Sequence, residues 1–596
     1  MPPWFARLLC LGAGVVALNL TVRADDGATI DFSSATPIGT WTGFYRGTQI
    51  QGNGMKDRMG LRAVPACLLK GSFPYQPRPY PEEVLFADRV SFVRFVGGWN
   101  KALRWGEDHG TDKGDLAYRK ADGSLGFRWE KIAPRLDPYL QAGYREPIIS
   151  LDNVPWDLAA RASTGPYGQN APVGSLAEWD TFMRGFFTQL RDHYGAGLVR
   201  NWMFRMSTEP NGGVVFAGTH EEFTAMYGVT ARALRDVVPG ARFGPGEFSG
   251  ALTPGRKSEA FDYLRFAADQ ARNPTLPFDY IANSAHGIAM WVGEKLEGTA
   301  DPRERVDWSE RSYDYLRKTW PALEKDPVYI FQFGVLTAEV ADPDHPSKMI
   351  DTDEPGGRGA AWVFDTILEF KRRDKHLAGV WHWDTGEDVR HGRDASAYIL
   401  HGNGWIYQIF DQFRRGEAYV SPTQEVAPGR LVKALFARKE GRGYLMISNF
   451  SPDRRLSRAG AVKITLPASV CAGVAMKTTG QLVLSEEDCP MQRIKTALRD
   501  AGLLKAPFSK TAVLGNVRQM ADTRGMNFVA DHAMEFEQLG IDSLTLKPFG
   551  GSVEQASGGT VVKYTVPADS VIVVVFGGEA GAAAIPPRNT LEPRPH

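Results

Sequence analysis

The chain has 596 residues, 43% of them hydrophobic and 23% charged, with 63 glycines and 38 prolines, a globular composition with room for two or three domains. Its 69 basic and 69 acidic residues balance, so charge gives no support to a nucleic-acid partner or to an anionic membrane surface. The 15 tryptophans suit either a large core or a surface that stacks sugars.

At the N-terminus Arg7 precedes the apolar run LLCLGAGVVALNL, and Val22 and Ala24 supply the small residues of a signal-peptidase site. Residues 1–24 are therefore expected to be a cleaved signal peptide, the alternative being an uncleaved anchor. Cys10 lacks the small residue before it that lipoprotein processing needs. Cleavage would remove Arg7 and Arg23, leaving 67 basic residues against 69 acidic, and would deliver a periplasmic or secreted protein without a membrane attachment. Export permits disulfides. Cys471 and Cys489 bracket a short segment and are a candidate pair, which leaves Cys67 as a small buried residue. No CxxC, HExxH or GxSxG pattern is present, which argues against zinc proteases and serine esterases; no metal or organic cofactor is expected.

From about residue 85 to 385 short apolar or β-branched runs alternate with helical patterns. SFVRFVGGW (91–99), EPIISLDNVP (146–155), NWMFRMSTEP (201–210) and ARFGPGEFSG (241–250) read as strands. So do FDYIANSAHG (278–287), PVYIFQFG (327–334) and LAGVWHWDTG (377–386), with an earlier strand around TWTGFYRG (40–47). Ser175 with Glu178, and Thr219 with Glu222, fit capping boxes at helix starts. After the second, Phe223, Met226, Tyr227, Ala233, Leu234 and Val237 recur at helical spacing. This alternation predicts an α/β fold, a (β/α)8 TIM barrel, over residues 25–400. A doubly wound sheet is disfavoured by the repeat count and by the lack of a glycine-rich dinucleotide loop.

Beyond residue 400 the texture becomes that of β-structure. LVKALFARKEGRGYLMISNFS (431–451) reads as a hairpin and TVVKYTVPADSVIVVVFG (560–577) as two closing strands. A more helical segment interrupts them at about 490–540. The expectation is a C-terminal β-sandwich over 401–577 carrying that insertion, then a disordered tail over 578–596.

In a barrel, residues just past the strand C-termini share one mouth. Trp99, Asn153, Trp156, Glu209, Glu247, His286, Trp381 and Trp383 all fall there. Glu209 ends an apolar strand, where desolvation raises a carboxyl pKa toward the range a general acid needs; a structural ion pair is the alternative. Trp381 and Trp383 alternate on one side of a strand and suit either a sugar platform or the core. His286 suits a catalytic or hydroxyl contact, or a satisfied core position.

These motifs, in this order, resemble glycoside hydrolase family 39, within the larger clan A of barrel glycosidases. The likeness covers most of residues 40–450. It rests on Glu209-Pro210 after the fourth strand, EPIISLDNVP at the third, FGPGEF at the fifth, FDYIANSAHG at the sixth and the tryptophan-bearing eighth strand. The resemblance implies that Glu209 is the acid/base and that the partner is a carbohydrate, an oligosaccharide or exopolysaccharide of neutral or uronic sugars. It implies substrate-binding places for Arg94, Trp99, Asn153, Thr208, Asn211, His286, Gln332, Trp381 and Trp383, with Arg94 ordering the carboxylates.

Two departures stand out. Thr208 occupies the place of the family's asparagine, and Gln332 that of the nucleophile. An amide cannot form a covalent glycosyl-enzyme intermediate. Glu339 is the expected second catalytic carboxylate if the chain folds back or the seventh strand is longer than drawn. A more distant base among Glu247, Asp384, Glu387 and Glu339 would give inversion. Loss of both routes would leave a carbohydrate-binding protein. Oligomeric state, sugar and linkage are not legible.

Overall fold

The computed structural model describes residues 27–40, 45–51, 71–72, 79–80, 89–98, 115–141, 146–165, 168–212, 215–248, 278–340, 348–349, 356–373, 377–382, 388–391, 397–400, 402–413, 415–504, 508–509 and 523–578, with single positions at 266, 269 and 273. Eight parallel strands form the barrel: β1 (Tyr45–Gln51), β2 (Arg89–Val93), β3 (Ile148–Ser150), β4 (Met203–Thr208), β5 (Arg242–Glu247), β6 (Ile281–Val292), β7 (Val328–Val340) and β8 (Leu377–His382). Each pairs with its neighbour in chain order, and β8 returns to β1. Between β5 and β6 the ring closes through the parallel bridge of Phe248 with Asn283 and the bond from Ser284 N–H to Phe248 O. The eight expected strands are all present, β1 a few residues later than drawn.

Strand periodicity explains the layering. On β4, Met203 joins the barrel-interior cluster with Ile148, Tyr280, Ala282, Tyr329 and Phe331. Its neighbours Phe204 and Met206 belong instead to the large cluster shared with the helices. Alternation at period two thus sends successive side chains to the two faces. The described helices of the outer layer are α1 (Ile132–Gln141), α2 (Leu176–Tyr194), α3 (His220–Val237), α4 (Pro302–Thr319), α5 (Gly357–Arg373) and α6 (Gly402–Gln412). At α3 the Thr219/Glu222 capping box closes in both directions. At α2 only half of it forms: Ser175 accepts from Glu178 N–H, while the Glu178 carboxylate pairs with Arg119 at 2.6 Å.

Strands β6 and β7 run well past the others. β7 was expected over 327–334 but continues to Val340, paired with β6 to Val292, and β6 then turns back through Lys295–Thr299.

The C-terminal region contributes two further sheets. One contains Gly460–Pro467, Gly559–Val566 and Ser552–Ala556; the other contains Glu417–Val420, Arg430–Lys439, Arg442–Phe450, Ser570–Phe576 and Thr478–Leu484. Side chains from both meet in one apolar cluster, with Ile464 and Val562 from the first and Val432, Ile447 and Val574 from the second. Residues 28–40, expected in the barrel segment, instead supply an edge strand to each sheet: Ala28–Asp31 lies beside Gly460–Pro467, and Thr36–Thr40 beside Glu417–Val420. Ile30 is the reason, because it is fully buried in the shared cluster. The expected helical interruption is present as Pro490–Asp500, Thr523–Asp531 and Ala533–Ser543.

Helix α5 carries charge into its contact with the C-terminal sheets. Lys433 and Glu369 form a buried ion pair, and Glu369 also takes Arg372 and Arg373 at 2.5 Å each. Cys471 and Cys489 are not bonded to each other, contrary to the candidate pairing: both are free and buried, one in each of two separate apolar clusters. Burial pushes their thiols up to about 11 and about 12. The signal segment, Cys67 and residues 579–596 lie outside the described residues.

Candidate active site

The C-terminal ends of β2, β3 and β4 bend in the same unusual way. Arg94, Asn153 and Glu209 all have positive φ, at 54°, 58° and 41°, a region that non-glycine residues seldom occupy and that concentrates at functional sites. Glu209 directly follows β4, and its N–H donates to Glu247 O at 3.0 Å. Pro210 then opens the single turn Pro210–Gly212, which holds Asn211. Glu209 is half-buried, at the lip of the barrel, whereas Glu247 is fully buried.

Beneath Glu209 lies an ion pair. Arg205 points into the barrel with its guanidinium 4.9 Å from the centre of the Phe331 ring, and bonds Glu247 at 2.5 Å. Glu247 takes that place because Gly246 lets β5 press against β4. Gly246 has φ 96°, and a Cβ there would sit 1.8 Å from Ser207 O. Burial pushes the Glu247 carboxyl up to about 7, Arg205 pulls it back, and Glu209 and Asp152 push it further up. Asp152 is buried and accepts from Arg94 N–H at 2.7 Å. Asn153 donates from Nδ2 to Gln169 O at 2.9 Å. The Thr208 hydroxyl is buried beside Glu209 with no hydrogen-bond partner among the described residues.

The opposite rim is read from backbone register. Ser284 on β6 pairs with Gln332, and His286 with Gly334. Because Phe248 bridges Asn283, Gln332 stands level with the end of β5. His286 is half-buried. Glu339 pairs with Trp291, seven residues or about 23 Å further along the strand. Earlier on β7, Phe333 and Val335 belong to the cluster shared with the helices, and Phe333 packs on Trp362 of α5 at 4.9 Å between centroids. Trp381 is on β8 opposite Gly47, and Trp156 is half-buried in the turn Trp156–Leu158 after β3. Trp99, Trp383, Asp384 and Glu387 lie outside the described residues.

The residues that sequence reading passed over are Arg205 and Asp152. Arg205 had a usable signal, since a cation inside the apolar strand MFRMST demands a buried partner. Among the described residues, no group of three or more His, Cys, Asp or Glu side chains is arranged to hold a metal, and no helix is long and apolar enough to cross a membrane.

Residues 92–352 match the model of glycosyl hydrolases family 39. The chain is 27% identical over 192 residues to a beta-xylosidase of Geobacillus stearothermophilus, a stretch covering 31% of this chain and 36% of that relative's length. Among solved structures it resembles the GH39 enzyme from Xanthomonas axonopodis pv. citri, with TM-score 0.57 and 16% identity over 93% of this chain and 98% of that one. It also resembles a monomeric beta-xylosidase from Caulobacter crescentus CB15, with TM-score 0.57 and 15% identity over 93% of this chain and 99% of that one. At such identities the structures speak for the TIM-barrel fold alone. The matched segment, less than half of the chain, holds the third- to sixth-strand motifs and is similar to glycosyl hydrolases family 39.

Proposed function

We propose that this protein hydrolyses glycosidic bonds, with Glu209 as the proton donor to the leaving oxygen. The observation that carries the proposal is the placement of Glu209: half-exposed, immediately after β4, in a left-handed conformation above a buried Arg205–Glu247 pair. In the proposed step the Glu209 carboxyl protonates the glycosidic oxygen as the C–O bond breaks. The buried acid Asp152, joined by Glu247 once pH rises through about 7 and its carboxyl ionises, favours the positive charge that develops on the sugar ring. Water then completes the product and loses its proton to a base.

Glu247 is fully buried and acts in this proposal as a floor, not as that base. Glu339 is disfavoured by its strand position. The proposed bases are Asp384 and Glu387, which follow the last residue of β8 by two and five positions; a base acting on water gives inversion. Arg94, Trp99, Asn153, Thr208, Asn211, His286, Gln332, Trp381 and Trp383 are proposed to line the sugar site.

The register of Gln332 supports a second reading, a binding protein that no longer cleaves. Product release from xylosides, uronosides and exopolysaccharides separates the two, comparing wild type with Glu209→Gln, Glu339→Gln, Asp384→Asn and Glu387→Gln. Loss of a general acid costs about 10²–10⁴ in rate. Xylosides enter because a family relative is a beta-xylosidase. Glycan binding without cleavage by the wild type would establish the second reading.

The proposal extends to the rest of the chain. The two C-terminal sheets are read as a β-sandwich on the strength of their shared apolar cluster. Export after cleavage at Ala24 rests on the apolar N-terminal run, and N-terminal sequencing of the secreted protein tests it.

A further inference from the structure

We propose that Asp115, which lies on neither β2 nor β3, is a positioning residue that fixes both rim loops of the sugar site through one buried carboxylate. The proposal rests on the glycosidase reading for its effect on substrate, though not for its geometry. One oxygen, Oδ1, accepts from Gly98 N–H at 2.8 Å; the other, Oδ2, accepts from Trp156 N–H at 2.7 Å. Gly98 belongs to the loop that follows Arg94 after β2, and Trp156 to the turn that follows Asn153 after β3. Asp115 is only 1% exposed, so water does not compete for either bond.

The chain is shaped to admit that carboxylate. Gly97 has φ 146°, and a Cβ on it would lie 2.6 Å from Asp115 Oδ1; Gly98 has φ 70°, and a Cβ on it would lie 2.6 Å from Val154 O. Two successive glycines thus bring the β2 loop against both Asp115 and the β3 loop. Backbone bonds hold the carboxylate in turn: Leu116 N–H donates to Val96 O at 2.9 Å, and Gln169 N–H to Gly98 O at 2.6 Å. Gln169 O accepts from Asn153 Nδ2, so the same cross-link reaches a residue of the proposed site. A carboxylate suits this role because both oxygens accept. Asparagine at 115 would turn an amide N–H against one of the two donors.

Hydrogen–deuterium exchange and steady-state kinetics test the proposal together. In the wild-type protein the amides of Gly98 and Trp156 should exchange slowly, and fast exchange at both would overturn it without any variant. In Asp115→Asn these amides should exchange at least tenfold faster while β2 and β3 keep their protection. KM should rise about tenfold with kcat within about twofold, the signature of weakened uniform binding after loss of one hydrogen bond to a charged acceptor. Asp115→Ala should show a larger change in the same direction. Unchanged exchange and KM in a folded Asp115→Asn would refute the positioning role, as would a fall in Tm with KM unmoved. If the wild type cleaves no glycoside but its two amides are protected, the glycosidase reading fails and the cross-link stands; glycan affinity then replaces KM as the readout.

Discussion

Replacing Glu247 with glutamine probes the electrostatics beneath the site. Burial raises its carboxyl from 4.5 to about 7, with Glu209 and Asp152 adding to the shift and Arg205 opposing it. A carboxyl with a higher pKa in the folded chain holds its proton more tightly there. Its contribution to stability is therefore complete below about pH 4.5 and is lost as pH rises through about 7. A shift from 4.5 to about 7, at about 1.4 kcal/mol per unit, amounts to about 3.5 kcal/mol. Glutamine does not titrate, so the stability difference between wild type and Glu247→Gln should shrink by that amount between pH 4.5 and 8. The loss of a partner for the buried Arg205 offsets the two curves but does not change how their difference varies with pH. In scanning calorimetry that change corresponds to roughly 7–14 °C in Tm for a barrel-sized unit. Parallel curves would mean that Arg205 keeps the carboxylate ionised across the window and would refute the reasoning; an opposite slope would mean that the pair holds the pKa below 4.5.

Other outcomes follow from particular contacts. Gly246→Ala places a Cβ 1.8 Å from Ser207 O and should destabilise by more than about 3 kcal/mol, read as a fall in Tm. Gly195→Ala, also at positive φ but with nothing within 4 Å, should cost only the backbone strain, about 1–3 kcal/mol. Gln332→Glu places a carboxylate level with the end of β5. If the rim geometry is that of a retaining site, NMR of the products will show retained anomeric configuration, and an unchanged product profile would speak against it. Lys433→Met removes the fully buried cation from Glu369, which keeps Arg372 and Arg373. A cost of about 3 kcal/mol is expected, and an unchanged Tm would show that the two arginines suffice.

The eight strands of the barrel were legible because their pattern is local: apolar runs end in Gly, Pro or acidic punctuation, and helices begin at caps such as Thr219. The same locality revealed Glu209, since a carboxylate before a proline at a strand end stands out without reference to any other residue. What the sequence alone determined is thus the order of strands and helices and the side chains that stand at the strand ends.

Only the tertiary structure decided which of those side chains meet. Glu247 was visible as a strand-end acid, but its burial against Arg205 depends on Gly246 letting two strands approach, a contact between residues 42 apart in sequence. Chain length sets only a maximum reach for Glu339; the pairing of β7 with β6 to Val340 is what places its backbone opposite Trp291. The place of Ala28–Asp31 was not legible either, because a four-residue strand can complete any open sheet edge, and the edge it found lies beside Gly460–Pro467. Strand pairing and ion pairing are non-local choices, fixed by burial and hydrogen-bond satisfaction over the whole molecule, and so they appear only when the chain is folded.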